Sequence, residues 1–457
     1  MKTEIRYLSL CGMLGYGYAP VSLENALKLD LDFIGVDAGS TDPGPYYLGS
    51  GNGFVKALQM KRDLSLVLKP ALERKIPLII GSAGGSGARP HVEKTLKILR
   101  EIANEQKLQF KVTVIYSDID REILKRAVAE KRIWPCGGSP EFDANCIDQL
   151  SNPVAQFGTE PIIAALKTGA DVILSGRCCD TAVFAAFPIL HGFPAGLALH
   201  AAKIAECGAL CARPVGANDS LVVTLRQDSF TVEPPNPTRK CTSDSVAAHS
   251  LYEQPDPYCF YEPEGEIDLR NCSFVQSGER AVTVSGSELH TAEKATTKLE
   301  GALLRGYRSI SIAGLRDPVA IASLAAIEKG VRLAVQESAS FVKEGEYSLR
   351  FLRYGLDAVT GTNEVCGVLP AEVGLVIEAV APSQEQADAL IGLARSKALH
   401  QGFAGRKATA GNLAFPFSPS DFQGGAVYDF ALYHLIDLPV PFAMETLTIP
   451  EASNANL

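Results

Sequence analysis

Glycine-rich segments recur along the first half of the chain, at GMLGYGYA (12–19), DAGSTDPGP (37–45), GSAGGSGARP (81–90) and GRCCDTA (176–182). Glycine lets a backbone approach a ligand closely, and amides clustered at a helix start stabilise negative charge without a side-chain cation. The chemistry such loops perform is to hold a small anion. Gly15, Gly17, Ser40, Thr41, Ser82, Gly84 and Gly85 supply amides and hydroxyls, and Arg89 and Arg177 supply charge. The 81–87 run is no Walker loop, because no Lys-Ser/Thr follows it. Its ordinary structural reading is a tight turn with positive φ angles; Arg89 beside it favours an anion cradle.

Acids stand beside these loops. Asp37 ends an apolar run and enters a Gly/Ser/Pro segment with no evident structural duty. Asp180 precedes a helical pattern at 181–190, where an N-cap is its ordinary role. Glu160 lies in the first turn of a helix at 157–168. Asp37, Glu160 and Asp180 are the catalytic candidates, since paired carboxylates near an anion serve as acid and base. The other use of such carboxylates is to bind Mg²⁺; no cofactor is otherwise expected. Cys178 and Cys179 precede a helix start, which lowers a thiol pKa, but burial is the ordinary fate of such cysteines. Further along, Asn236 and Arg239 lie in VEPPNPTRKCT, and Ser245 and His249 share one helical face. Arg406, Thr409 and Asn412 occupy a long loop as donors suited to a carboxylate. Gly12, Gly15, Gly17 and Asp37 form a loose dinucleotide pattern, against which Pro20 stands where the phosphate-binding helix would begin.

The elements that must position these residues alternate strand and helix. Apolar runs at IRYLSLCG, DFIGVDAG, IPLIIGSAGG, FKVTVIYSD and ADVILSGR read as parallel strands, with helices such as HVEKTLKILREIANEQK and DREILKRAVAEKR between them. Their carboxyl ends carry the loops, and in open parallel sheets ligands bind at that edge. The loops are therefore expected to converge on one cleft. Residues 1–215 read as a parallel-sheet α/β domain, and 216–302 as a β-rich insert with hairpins at LVVTLRQDSFTVE and NCSFVQSGERAVTVSGSEL. From 303 to 457 the order is β-α-β-β-α-β, a ferredoxin-like (split βαβ) α+β domain. Its last link is a loop of more than twenty residues, a length that is commonly functional.

Composition removes several classes. At 457 residues the chain needs more than one core, and with 46% hydrophobic and 21% charged residues it is neither disordered nor fibrous. A net charge of −9 without a basic run argues against a nucleic-acid partner. No apolar stretch approaches a membrane span and no signal peptide is visible, so a cytoplasmic protein without a membrane partner is expected. The 11 cysteines include no C-x-x-C, so neither a disulfide framework, nor structural zinc, nor an iron–sulfur cluster is expected.

Together GMLGYGY, DAGSTDPGPYYLGSG, GSAGGSG, the GTEP…GRCCDTA pair, VEPPNPTRKCT…VAAHSLYE and TAGNLAFPFSPSD resemble the acyclic terpene utilization AtuA family over nearly the whole chain. The resemblance implies a place in acyl-CoA and branched-acid catabolism, and pairing with a short separate protein, as some members do. It carries over no catalytic residues, and the Cys178–Cys179 doublet departs from relatives with one small residue. The resulting expectation is an enzyme, a hydratase/dehydratase-type lyase or an isomerase, acting on a small polycarboxylate or its acyl-CoA thioester, as a homo-oligomer. The alternatives are a non-catalytic binding or scaffold subunit of a catabolic complex, and a metal-dependent hydrolase.

Overall fold

Strands form where the short apolar runs predict them, at Ile5–Ser9, Phe33–Asp37, Leu78–Gly81, Phe110–Tyr116 and Val172–Ser175. The computed structural model describes residues 2–215, 218–361 and 369–450. These five strands pair in parallel, in the order Ile5–Ser9, Phe33–Asp37, Leu78–Gly81, Val172–Ser175, Phe110–Tyr116. Alternate side chains enter opposite cores, as a two-residue period requires. Tyr7, Phe33, Ile79, Ile115 and Ile173 join one cluster with the helices Ala182–Leu190 and Ala195–Ala205. Leu8, Ile34, Val36, Ile80, Val114 and Leu174 join another with Ala57–Arg74 and Arg89–Gln106. Each such fully buried side chain stabilises by about 1.5–3 kcal/mol, so both faces must be covered and the carboxyl edge is what remains open to carry loops.

The sheet is mixed rather than purely parallel. Leu221–Leu225 pairs antiparallel with Ile5–Ser9, followed outward by Ser229–Glu233, Val282–Ser285 and Ser273–Gln276. At the opposite edge Ala443–Ile449 pairs antiparallel with Phe110–Tyr116. The expected insert at 216–302 thus supplies strands to the same sheet; its first residues, 216 and 217, lie outside the described residues. The reason is edge protection: Ile5–Ser9 and Leu221–Leu225 are almost wholly buried, and either left unpaired would expose a hydrophobic ladder.

Two compact units result, Met1–Leu303 with Phe430–Leu457, and Leu304–Asp429. The first also holds Ser151–Gln156, paired with Lys298–Ala302, and a three-stranded antiparallel sheet of Cys259–Glu262, Gly265–Asp268 and Glu288–Thr291. In the second, Ser348–Tyr354 pairs antiparallel with Val373–Ala381, which pairs with Tyr307–Leu315. The helices Leu324–Ser338 and Gln384–His400 cover these strands through Ile327, Val331, Leu390 and Ile391. The first helical stretch of this unit is broken at Ser323 into Pro318–Ala322 and Leu324–Ser338. Among the described residues no helix is long and apolar enough to cross a membrane.

Candidate active site at the carboxyl edge of the sheet

The four glycine loops are joined in series, the first through Leu14 N, which donates to the Asp37 carbonyl at 2.8 Å. Ala38 N donates to the Gly81 carbonyl and Ala83 N to the Ser175 carbonyl, so each loop leaves its strand bonded to the next. Gly39 has φ 150°, and a Cβ there would lie 2.2 Å from Gly85 Cα, so these two backbones touch with no room for a side chain. Gly87, at φ 65°, abuts Arg177 in the same way, at 2.1 Å from its backbone nitrogen. Much of the glycine content is therefore required by loop-on-loop contact. Ser117, at the end of Phe110–Tyr116, ties the assembly: its hydroxyl donates to the Gly87 carbonyl and accepts from Arg177 N at 2.6 Å.

Asp37 ends its strand inside this junction, 4% exposed. Its Oδ2 accepts from Gly39 N at 3.0 Å, and its Oδ1 is buried with no hydrogen-bond partner. Burial, then repulsion from Asp180, pushes its carboxyl well above the ordinary range, against the pull of Arg177 and the Gly39 amide. Asp180 is not the expected helix cap, because Thr181 takes the N-cap position of Ala182–Leu190 and makes no capping bond. The Asp180 Oδ1 lies 3.9 Å from Arg177 Nη1, an ion pair, and is buried without a hydrogen bond. Burial raises it too, opposed by Arg177 and Lys203. Its side chain is 35% exposed, so water shares in its solvation. Both carboxyls are thus shifted toward higher proton affinity, Asp37 in part by Asp180.

Arg177 does not point a free fork at this pair. Its Nε and Nη2 donate to Glu300 at 2.9 and 3.4 Å, and its Nη1 donates to Ser82 Oγ and the Cys178 carbonyl. Glu300, fully buried, also accepts from Thr41 at 3.0 Å and pairs with Lys298 at 3.0 Å. Burial alone would raise its carboxyl, but Arg177 and Lys298 win and hold it at about 2. Arg177 is thus a fixed positive strut that orders Ser82, Cys178 and Asp180.

A second layer of acids lies behind. Thr181 Oγ1 donates to Glu262 at 2.7 Å, and Lys203 donates to Glu206 at 2.6 Å. Burial pushes both Glu206 and Glu262 up to about 8. Burial works against the Lys203 charge but Glu206 raises it overall, whereas Glu262 is bonded to a neutral hydroxyl. Cys178 is pushed up to about 11 by burial, and Cys179 is raised as well, which disfavours a thiolate nucleophile at this helix start. Among the described residues no three His, Cys, Asp or Glu side chains gather as a metal-binding group.

The remaining candidates lie elsewhere or are engaged. Gly15 N and Gly17 N both donate to the buried carboxylate of Asp63, at 2.8 and 3.1 Å, so an internal side chain occupies the first loop's amides. Ser40 Oγ accepts from Asp42 N, and the Gly84 carbonyl accepts from Phe54 N. Arg89 stacks over the Tyr116 ring at 3.9 Å. Asn236 donates to Asp219, and Arg239 donates to the Ala209 and Pro214 carbonyls. In the second unit, Arg406 and Asn412 donate to carbonyls at the end of Gln384–His400, a helix-capping duty. Glu160 lines a cleft of about 920 Å³ with Phe157, Glu264, Leu438 and Phe442. That cleft does not contain Asp37 or Asp180. The Phe157 backbone that walls it exchanges hydrogen bonds with Arg177 and Cys179, placing the two one chain segment apart.

Sequence reasoning missed Glu300, Asp63, Lys203 and Glu262. Only Asp63 had a usable signal: it falls within the buried stripe Met60, Leu64, Val67, Leu68 of its helix, where an acid must have a partner.

The sequence model described as "Acyclic terpene utilisation family protein AtuA" matches residues 49–219 and 226–418. No curated protein and no solved structure matches the chain.

Proposed function

This chain belongs to the acyclic terpene utilisation family, and on that premise we propose that it is an enzyme of acid–base chemistry, a hydratase/dehydratase-type lyase or an isomerase. Its substrate is a small carboxylate or the corresponding acyl-CoA thioester. The observation that carries this reading is the Asp37–Asp180 pair, each with a buried Oδ1 that has no hydrogen-bond partner. Buried polar atoms in folded proteins are nearly always bonded, and orphans concentrate where a ligand supplies the missing partner. In this scheme the unprotonated carboxylate removes the proton next to the carbonyl, and the protonated one gives its proton to the departing hydroxyl. A carbon–carbon double bond and water result. Arg177, locked by Glu300, keeps the pair from holding two protons, and the Ser82–Gly87 loop faces the developing negative charge. The same reading takes Leu304–Asp429 as a ferredoxin-like unit, on the strength of its β-α-β-β-α-β order. It also places the protein in the cytoplasm as a homo-oligomer, with a short second subunit as partner.

The test is a panel of 3-hydroxyacyl- and enoyl-CoA thioesters and their free acids, followed by enoyl absorbance. Turnover of at least one is expected. Asp37→Asn should then lower kcat by about 10²–10⁴-fold while the circular dichroism spectrum stays unchanged. Undiminished turnover in that variant would remove Asp37 from the mechanism.

A further inference from the structure

A recess of about 230 Å³ lies beside the helix Ser243–Ser250, remote in function from the carboxyl pair. Its walls are Leu210, Val215, Ala248 and the ring of Tyr252, with Arg213 at its edge. His249 lines it as well, only 7% exposed, and its Nε2 is buried without a hydrogen-bond partner. The imidazole stacks on Tyr252 at 5.4 Å. Ser245, one turn earlier, has its hydroxyl turned to the helix cap, where it donates to the Thr242 carbonyl.

Three features define an occupant. Leu210, Val215 and Tyr252 are 38%, 56% and 40% exposed, a cluster of large apolar side chains open to solvent around one recess. Arg213 stands directly opposite Lys240 in a short antiparallel ladder, and neither forms an ion pair with a carboxylate among the described residues. Like charges facing across a ladder repel, and an anion relieves that repulsion. The volume is too small for a nucleotide or a peptide segment.

We propose that this recess binds a small monocarboxylic acid, with its carboxylate on Arg213 and its short apolar tail against Leu210, Val215 and Tyr252. His249 Nε2 meets the carboxylate or its bound water. Burial, and then the charge of Lys203, pushes the His249 imidazole down to about 4, so it offers a neutral hydrogen bond and Arg213 supplies the charge. The site shares no residue with the Asp37–Asp180 pair and stands whether or not that reading holds.

Hexanoate is the probe and hexylammonium the control, followed by calorimetry and by the His249 imidazole resonance in the intact chain. Hexanoate is expected to bind and to move that resonance, and hexylammonium to do neither. Arg213→Ala should weaken hexanoate by about tenfold, the loss of one charge-assisted contact. Ala248→Leu, which fills the recess, should abolish binding, and Asp37→Asn should leave it unchanged. Absence of hexanoate binding to the folded protein, equal binding of hexylammonium, or full affinity in Arg213→Ala would each overturn the proposal.

Discussion

Glu300 and Asp37 are acids of the same unit, both buried, at 0% and 4% exposure, yet their proton affinities are moved in opposite directions. Glu300 is gripped by Arg177, Lys298 and Thr41 and is held at about 2. Asp37 has one backbone amide and an oxygen facing nothing, and it is pushed upward. Burial is common to both, so it is the partners that decide. A carboxylate whose lone pairs are all engaged is a structural anion, and one left short in a dry place is poised to take a proton. Arg177 connects the two, bonding the first directly and acting on the second only through space.

The largest expected effect breaks the paired side of this comparison. Glu300→Gln leaves Arg177 and Lys298 buried without their counter-charge and should cost about 3–5 kcal/mol of stability in urea unfolding. Asp37→Asn, which replaces a carboxyl that no cation contacts, should leave stability unchanged or raise it. The comparison fails if Asp37→Asn is the more damaging of the two.

A smaller effect extends the contrast to the first glycine loop, whose amides are bound to Asp63 rather than left to a ligand. Asp63→Asn weakens the charge-assisted bonds from Gly15 and Gly17 and should cost about 1.5–3 kcal/mol, with turnover per folded molecule preserved. Loss of turnover at full stability would instead return that loop to the substrate site.

The smallest effect is in the pH dependence. Glu262 has its folded-state pKa raised from 4.5 to about 8, so across that window the folded chain binds more protons than the unfolded one. Stability contributed by this group therefore falls as pH rises from about 4.5 to about 8. Glu300 has the opposite sign: lowered from 4.5 to about 2, it contributes stability above 4.5 that is lost as pH falls toward 2. Thermal unfolding across pH 5–8 should show a shallower decline in Glu262→Gln than in the parent. An unchanged slope would mean that Glu262 is no more protonated in the folded chain than in the unfolded one.

Several parts of the site could be read from the chain alone. The five parallel strands were legible because an apolar run buried on both faces is a local pattern, and their carboxyl-end loops follow by topology. The strand Ala443–Ile449 was not, since its exposed edge position gives it mostly solvent-facing residues and no apolar run. The extension of Thr297–Leu315 upstream of residue 303 was missed because TKLEGALL carries Gly301 and two charges, one of which is the Glu300 that Arg177 needs. Arg177 was read as a ligand-binding cation because a strand-end arginine beside glycine loops looks the same in sequence whether its partner is a substrate or a glutamate 123 residues away.

The sequence by itself determined that glycine, serine and acid would collect at one edge of a parallel sheet, since strand period, loop composition and chain direction are properties of neighbouring residues. Only the tertiary structure decided which of those acids are satisfied. Glu300 reaches Arg177 and Thr41 across 123 and 259 residues, and Asp63 reaches Gly15 across 48. Proton affinity depends on solvent exclusion and on the charges within a few ångströms, and both are set by contacts that no local pattern encodes.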